Sequence, residues 1–172
     1  MAPLTTDWIR AAVEGSTIDG RTLSATQLQQ MAQTYHQDTY NARIWKEHVR
    51  GITSDSPFKP LGDVVAVKAE TLSTGPLAGK VALSVVLAPL PELITLVRGG
   101  EKIHLSIEME PDFSGSGQAY LVGLGVTDSP ASLGTEIMKF SQRGHRHGLY
   151  SAPLALSQDV PGAPRHTEAR FF

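Results

Sequence analysis

Cysteine is absent from the 172 residues, which excludes disulfide frameworks, thiolate zinc sites and thiol nucleophiles and leaves packing as the source of stability. An excess of either charge is lacking too. The 15 basic and 17 acidic residues give a formal net charge of −2, so no electrostatic attraction to nucleic acid or an anionic membrane is expected. Nor is there a long hydrophobic run. The most apolar stretch, Val81 to Leu90, ends in Pro-Leu-Pro and is far shorter than the roughly 20 residues that span a bilayer. Met1 to Asp7 shows no basic stretch followed by an apolar run, so no signal peptide is expected. The composition, 41% hydrophobic and 19% charged, is that of a soluble chain with one domain and a real core, made and used in a cytoplasm.

Turning to the pattern, residues 8–14 read as a first strand closed by Gly15. Ser24 and Gln27 have capping-box spacing, with Leu23 and Leu28 as a hydrophobic staple. Leu28, Met31, Ala32 and Tyr35 then recur at helical spacing, which predicts a helix over about 25–36. Residues 43–49 alternate, with Ile44, Lys46 and His48 on one face. Further strands are expected at 63–70, at 80–88, which is apolar on both faces, and at 119–127. Pro91 and Gly99-Gly100 bracket a short helix over Leu90 to Arg98. Over 103–110, Ile103, Leu105, Ile107 and Met109 alternate with His104, Ser106, Glu108 and Glu110. Ser129-Pro130 is shaped like a helix start, with Ile137 and Phe140 in the helix. From Ser141 the period dissolves among prolines. The expectation is an α+β domain over 1–140, with a mostly antiparallel sheet curled towards a barrel and two or three helices. Residues 141–172 are expected to be a linker or tail.

Without cysteine, a covalent nucleophile would be a serine or threonine working with a base. Ser106 stands on the polar face of a strand backed by apolar residues, and His48 can take and return a proton near neutral pH. Taken alone, each has a plainer reading, a solvated serine and a surface histidine, while Asp19-Gly20 is first of all a turn signal. Glu108 and Glu110 share the face of Ser106 and read most simply as a solvated strand face. His145 and His147 lack a third metal ligand. The loop Ser114 to Gly117 lacks the lysine of a phosphate loop. Gly123 and Gly125 lie on one strand face, where either an approaching substrate backbone or tight packing accounts for them.

Five segments carry a resemblance: Val13-Glu-Gly-Ser-Thr-Ile-Asp-Gly-Arg21, Glu47-His-Val-Arg-Gly51, Gly62-Asp-Val64, Ser106-Ile-Glu-Met-Glu-Pro111 and the long run Tyr120 to Glu136. In order and spacing they resemble the GPO family of phage capsid scaffolding proteins, whose N-terminal part is a serine protease. The resemblance covers roughly residues 8–140. It implies an endopeptidase that cleaves capsid precursor proteins, and itself, inside the assembling procapsid in the host cytoplasm. It implies a catalytic triad of Asp19, His48 and Ser106, with no cofactor and no metal. It also implies a likeness to herpesvirus assembly proteases, although those use a second histidine where the GPO pattern has aspartate. If Asp19 is not the orienting group, His104, Asp63 and Asp128 are the alternatives. The implied partners are the major capsid protein precursor, other procapsid proteins and a second copy of the chain, with no nucleic acid and no membrane. The sequence stops at Phe172, before the charged helical scaffold region of the family. The competing readings are a non-catalytic scaffold that works by binding, and a hydrolase of small esters.

Overall fold

The computed structural model describes residues 4–140 and 170–171. A strand β1 (Ile9–Val13) leads into a small hairpin, β2 (Gly15–Ser16) and β3 (Thr22–Leu23), and then into the helix α1 (Ala25–Thr34). Strands β4 (Arg43–Lys46), β5 (Gly62–Thr71) and β6 (Val81–Pro89) precede the second helix, α2 (Pro91–Arg98). Strands β7 (His104–Glu110) and β8 (Tyr120–Thr127) come next, and a last short strand, β9, is Arg170–Phe171. The main sheet has seven strands in the order β1-β6-β5-β4-β8-β7-β9. All pairs are antiparallel except β4 with β8. The sheet curls until β1 approaches β7 across the seam, giving the mostly β, nearly closed architecture with two helices that the sequence predicts.

Local chemistry sets the helices. The Ser24 hydroxyl accepts from the Gln27 amide (3.1 Å), and the Gln27 side chain accepts from the Ser24 amide (3.2 Å). Both bonds of the capping box are therefore made. Leu28 and Met31 on the inner face of α1 are fully buried and join Leu83, Leu87 and Leu121 in one core. Pro91 sits at the start of α2, where its missing N–H is no loss, and Leu93, Ile94 and Val97 pack inward.

The helix expected from Ser129-Pro130 does not form. Residues 129–139 are irregular, and their backbone groups find tertiary partners instead. Ile18 donates to the Ala131 carbonyl (2.9 Å) and Met138 to the Ile103 carbonyl (2.8 Å). Gly134, at φ +76°, would break a helix begun at Pro130. The cap-like pair is present, but no continuous helical backbone extends from it. Of the segment expected as a tail, all but Arg170 and Phe171 lies outside the described residues.

Candidate active site

Strand β7 carries the polar side chains, and its surroundings are not those of a solvated face. Ser106 is 0% exposed, Glu108 1% and Glu110 7%. The opposite face of the strand buries Leu105, Ile107 and Met109, so β7 is enclosed on both sides. A buried carboxylate needs partners, and Glu108 has them. Arg50 spans both its oxygens, at 3.1 Å to Oε1 and closer still to Oε2, and the His48 ring lies 2.8 Å from Oε1 through Nδ1.

His48 does not sit on a strand face. β4 ends at Lys46, and Glu47 and His48 both take left-handed backbone conformations, with φ +50° and +61°. Such angles cost a non-glycine residue about 1–2 kcal/mol each, and the surroundings hold them in place. The Glu47 amide donates to the Val126 carbonyl (3.0 Å), Val49 donates to Lys46 (3.0 Å), and Lys102 pairs with the Glu47 carboxylate (3.1 Å). The turn lays the imidazole across β8 at Gly125, where an added Cβ would stand 2.6–2.8 Å from three ring atoms. Gly123, one pleat along β8, makes the same kind of room for Glu108 and Arg50: a Cβ there would meet Glu108 Cδ at 2.8 Å and the Arg50 guanidinium at 2.9 Å. The pairing Ser106↔Gly125 and Glu108↔Gly123 explains the spacing. The two glycines admit the site's own side chains, so tight packing is the reading of them that holds.

The second ring nitrogen, Nε2, lies 2.6 Å from Ser106 Oγ. Burial alone would push the Glu108 carboxyl up, but hydrogen bonds from His48 and Arg50, with the Arg50 charge, outweigh it and hold Glu108 below its ordinary range. An ionised carboxylate only accepts, so Nδ1 carries the proton and donates to Glu108. In the neutral ring Nε2 presents its lone pair to the Ser106 hydroxyl, which donates to it. Serine, imidazole and carboxylate in this sequence can move a proton off the serine oxygen as that oxygen attacks an acyl carbon.

Of the three site residues inferred from resemblance, the structure brings Ser106 and His48 together and gives Asp19 other partners. The Asp19 carboxylate accepts from the Thr17 hydroxyl and pairs with Arg21 Nε (3.3 Å). The alternative orienting groups are also engaged elsewhere: Asp63 with Arg43, and Asp128 with Lys102. His104 Nδ1 is buried without a hydrogen-bond partner among the described residues. Sequence reasoning misses Glu108 as a partner of His48, because an alternating strand reads as solvated on its polar side. Its i+2 spacing from Ser106, which puts both on one face, is the available signal. Among the described residues no cluster of three or more His, Asp or Glu has a metal-holding arrangement, and His145 and His147 lie outside them.

Comparison with known proteins gives the family. The model of the GPO serine peptidase, N-terminal domain, matches residues 6–143. The chain belongs to the GPO serine peptidase family. It is 43% identical over 150 residues to the capsid assembly scaffolding protein of Escherichia phage P2. That alignment takes in 87% of this chain and 53% of the P2 protein, so the chain spans about half the length of its relative. No solved structure matches. For a GPO-family chain, the matched region includes Ser106, His48, Glu108 and Asp19 alike. No helix among the described residues is long and apolar enough to cross a membrane.

Proposed function

We propose that this chain is a serine endopeptidase of phage capsid assembly, with Ser106 as nucleophile, His48 as general base and Glu108 as the carboxylate that orients His48. The observation that carries the reading is the imidazole bridged between Ser106 Oγ (2.6 Å) and Glu108 Oε1 (2.8 Å), with all three side chains buried. Ser106 Oγ attacks the scissile carbonyl as its proton passes to His48 Nε2. Glu108, itself fixed by Arg50, steadies the imidazolium, which then delivers the proton to the leaving amine. Water, deprotonated by the same imidazole, releases the acyl group. The expected substrates are the capsid precursor, other procapsid proteins and the chain's own segment beyond the 1–140 domain, cut inside the procapsid in the host cytoplasm. A likeness to the curled barrel of herpesvirus assembly proteases belongs to the same proposal.

Co-expression with the capsid precursor, followed by mass analysis of the products, tests it. Ser106→Ala and His48→Ala should each abolish cleavage, losing on the order of 10⁴-fold or more, and the double variant should be no worse because the pair acts as a unit. Processing by Ser106→Ala at a near wild-type rate would refute the assignment. A second reading, a non-catalytic capsid scaffold, is favoured by the name of the P2 relative. It predicts binding to capsid precursor with no cleavage and no reaction of Ser106 with a fluorophosphonate.

A further inference from the structure

Beyond the serine–histidine–glutamate relay, the site holds a piece of polypeptide. Arg170–Phe171 pairs antiparallel with β7, Phe171 opposite Glu108 and Arg170 opposite Met109. Directly opposed residues put their side chains on the same face of a sheet. Accordingly, the Phe171 ring falls on the face of Ser106 and packs on the His48 ring, with centroids 4.5 Å apart. Phe171 is 5% exposed, and its carbonyl accepts a hydrogen bond from the Arg21 guanidinium. Arg21 in turn is held by Asp19 (3.3 Å) at the tip of the β2–β3 hairpin. There the Thr17 hydroxyl binds Asp19 and accepts from the Arg21 amide (3.1 Å).

We infer that the β7 edge is the substrate-docking strand. An extended peptide adds to it antiparallel, one carbonyl clamped by Arg21 and an aromatic side chain laid on His48, and Arg170–Phe171 occupies that place in cis. This deepens the endopeptidase reading and rests on it. Strand addition is a general way to grip a peptide backbone without reading every side chain. The register sets the direction. Phe171 aligns with Glu108, and Ser106 lies two residues back along β7, so an antiparallel peptide reaches Ser106 two residues after the position stacked on His48. The aromatic or large apolar side chain therefore belongs on the acyl side of the scissile bond. Arg21 is a peptide-binding residue, and Asp19 is a positioning residue that acts through it. A fully buried nucleophile with an aromatic ring on its base also means that the resident segment must leave before a substrate reacts.

The test uses the full chain with two probes, a fluorescein-labelled peptide His-Thr-Glu-Ala-Arg-Phe-Phe (the sequence of residues 166–172) and a small fluorophosphonate. Phe171→Ala should bind the peptide saturably and label at Ser106 about tenfold faster than the parent chain. Adding Arg21→Ala should weaken the peptide by about tenfold or more, as loss of a charge-assisted hydrogen bond does. In the Phe171→Ala chain Asp19→Asn should weaken the peptide likewise, and Asp19→Glu should restore binding. Should Phe171→Ala fail to fold, Arg21→Ala in the otherwise native chain serves the same end: it should free the resident segment and speed labelling. Absence of saturable peptide binding overturns the docking strand, and so does a labelling rate indifferent to both Phe171→Ala and Arg21→Ala. Loss of labelling in Asp19→Asn to the level of His48→Ala overturns the positioning role. Peptide binding with no labelling of any variant would uphold the docking strand and refute the peptidase reading instead.

Discussion

Gly125→Ala is the sharpest probe of how the relay is built. The added methyl would stand 2.6 Å from His48 Cε1 and 2.8 Å from each ring nitrogen, against roughly 3.5–4.0 Å for an ordinary contact. β8 is an inner strand, paired on both sides by β4 and β7, so the backbone has little freedom to retreat. The ring must therefore move by about an ångström, and the 2.6 Å bond to Ser106 Oγ opens past the useful limit of about 3.2–3.5 Å. A displacement of that size costs about 10²-fold in rate, and outright loss of the base costs on the order of 10⁴-fold or more. Turnover should therefore fall by about 10² at least. Forcing aside a buried ring held by two hydrogen bonds is overpacking and should cost about 1–3 kcal/mol of stability, partly offset by the backbone. Gly125 is not in a left-handed conformation, so alanine is compatible with its backbone and reduces unfolded-state freedom by about 0.4–1 kcal/mol. Thermal melting followed by circular dichroism, beside cleavage of capsid precursor and fluorophosphonate labelling, separates the two effects. A folded Gly125→Ala protein with more than about a third of wild-type activity would show that the imidazole does not work where it is seen.

Glu108→Gln should hold the fold but lose the acceptor that fixes the His48 tautomer, lowering turnover by roughly 10³–10⁴-fold. Single-turnover cleavage measures it, and a loss under tenfold would point to a different orienting group. Melting temperature should fall on acidification in two stages. His104 is held below its ordinary value by burial, only partly offset by Asp128, so its stabilising contribution is present above about pH 6.5 and fades as pH drops below it. Glu108, held low by His48 and Arg50 despite its burial, contributes above about pH 4.5, and that contribution is lost as pH falls through its folded value. A His104→Gln chain should show a flatter profile between about pH 7 and 5.5. An unchanged slope would mean that His104 is not buried neutral. Ser24→Ala should cost about 1 kcal/mol through the lost helix cap, or roughly 2–4 °C in Tm for a domain of this size, with cleavage untouched. Equal melting would place the cap outside the cooperative unit.

Much of this is legible in the residues themselves. The strands, α1 with its capping box and α2 with its leading proline arise from local periodicity and terminal chemistry, which depend on neighbours in sequence. The rest depends on neighbours in space. Glu108 looks solvated until β8 and Arg50 cover it. The left-handed pair Glu47-His48 looks like the end of a strand until Val126 and Lys102 hold it. Ser129-Pro130 looks like a helix start until Ile18 and Ile103 bond to the backbone of Ala131 and Met138. Resemblance points to Ser106 and His48, since spacing alone offers a plainer reading of each.

The parallel register of β4 with β8 carries a consequence for how the molecule is born. It joins residues 43–46 to residues 123–126, the turn with His48 hangs from its end, and Ser106 enters as the next strand over. Contacts that close such a long loop are slow to form, because chain entropy is lost before they are gained. On a ribosome, His48 is finished long before the strand it must lie across exists. A chain cut short before Tyr120 would thus hold both Ser106 and His48 and still lack the floor that brings them together. On the endopeptidase proposal, reactivity would arrive only as the sheet curls shut, which would keep a half-made chain from acting on its own unfolded backbone.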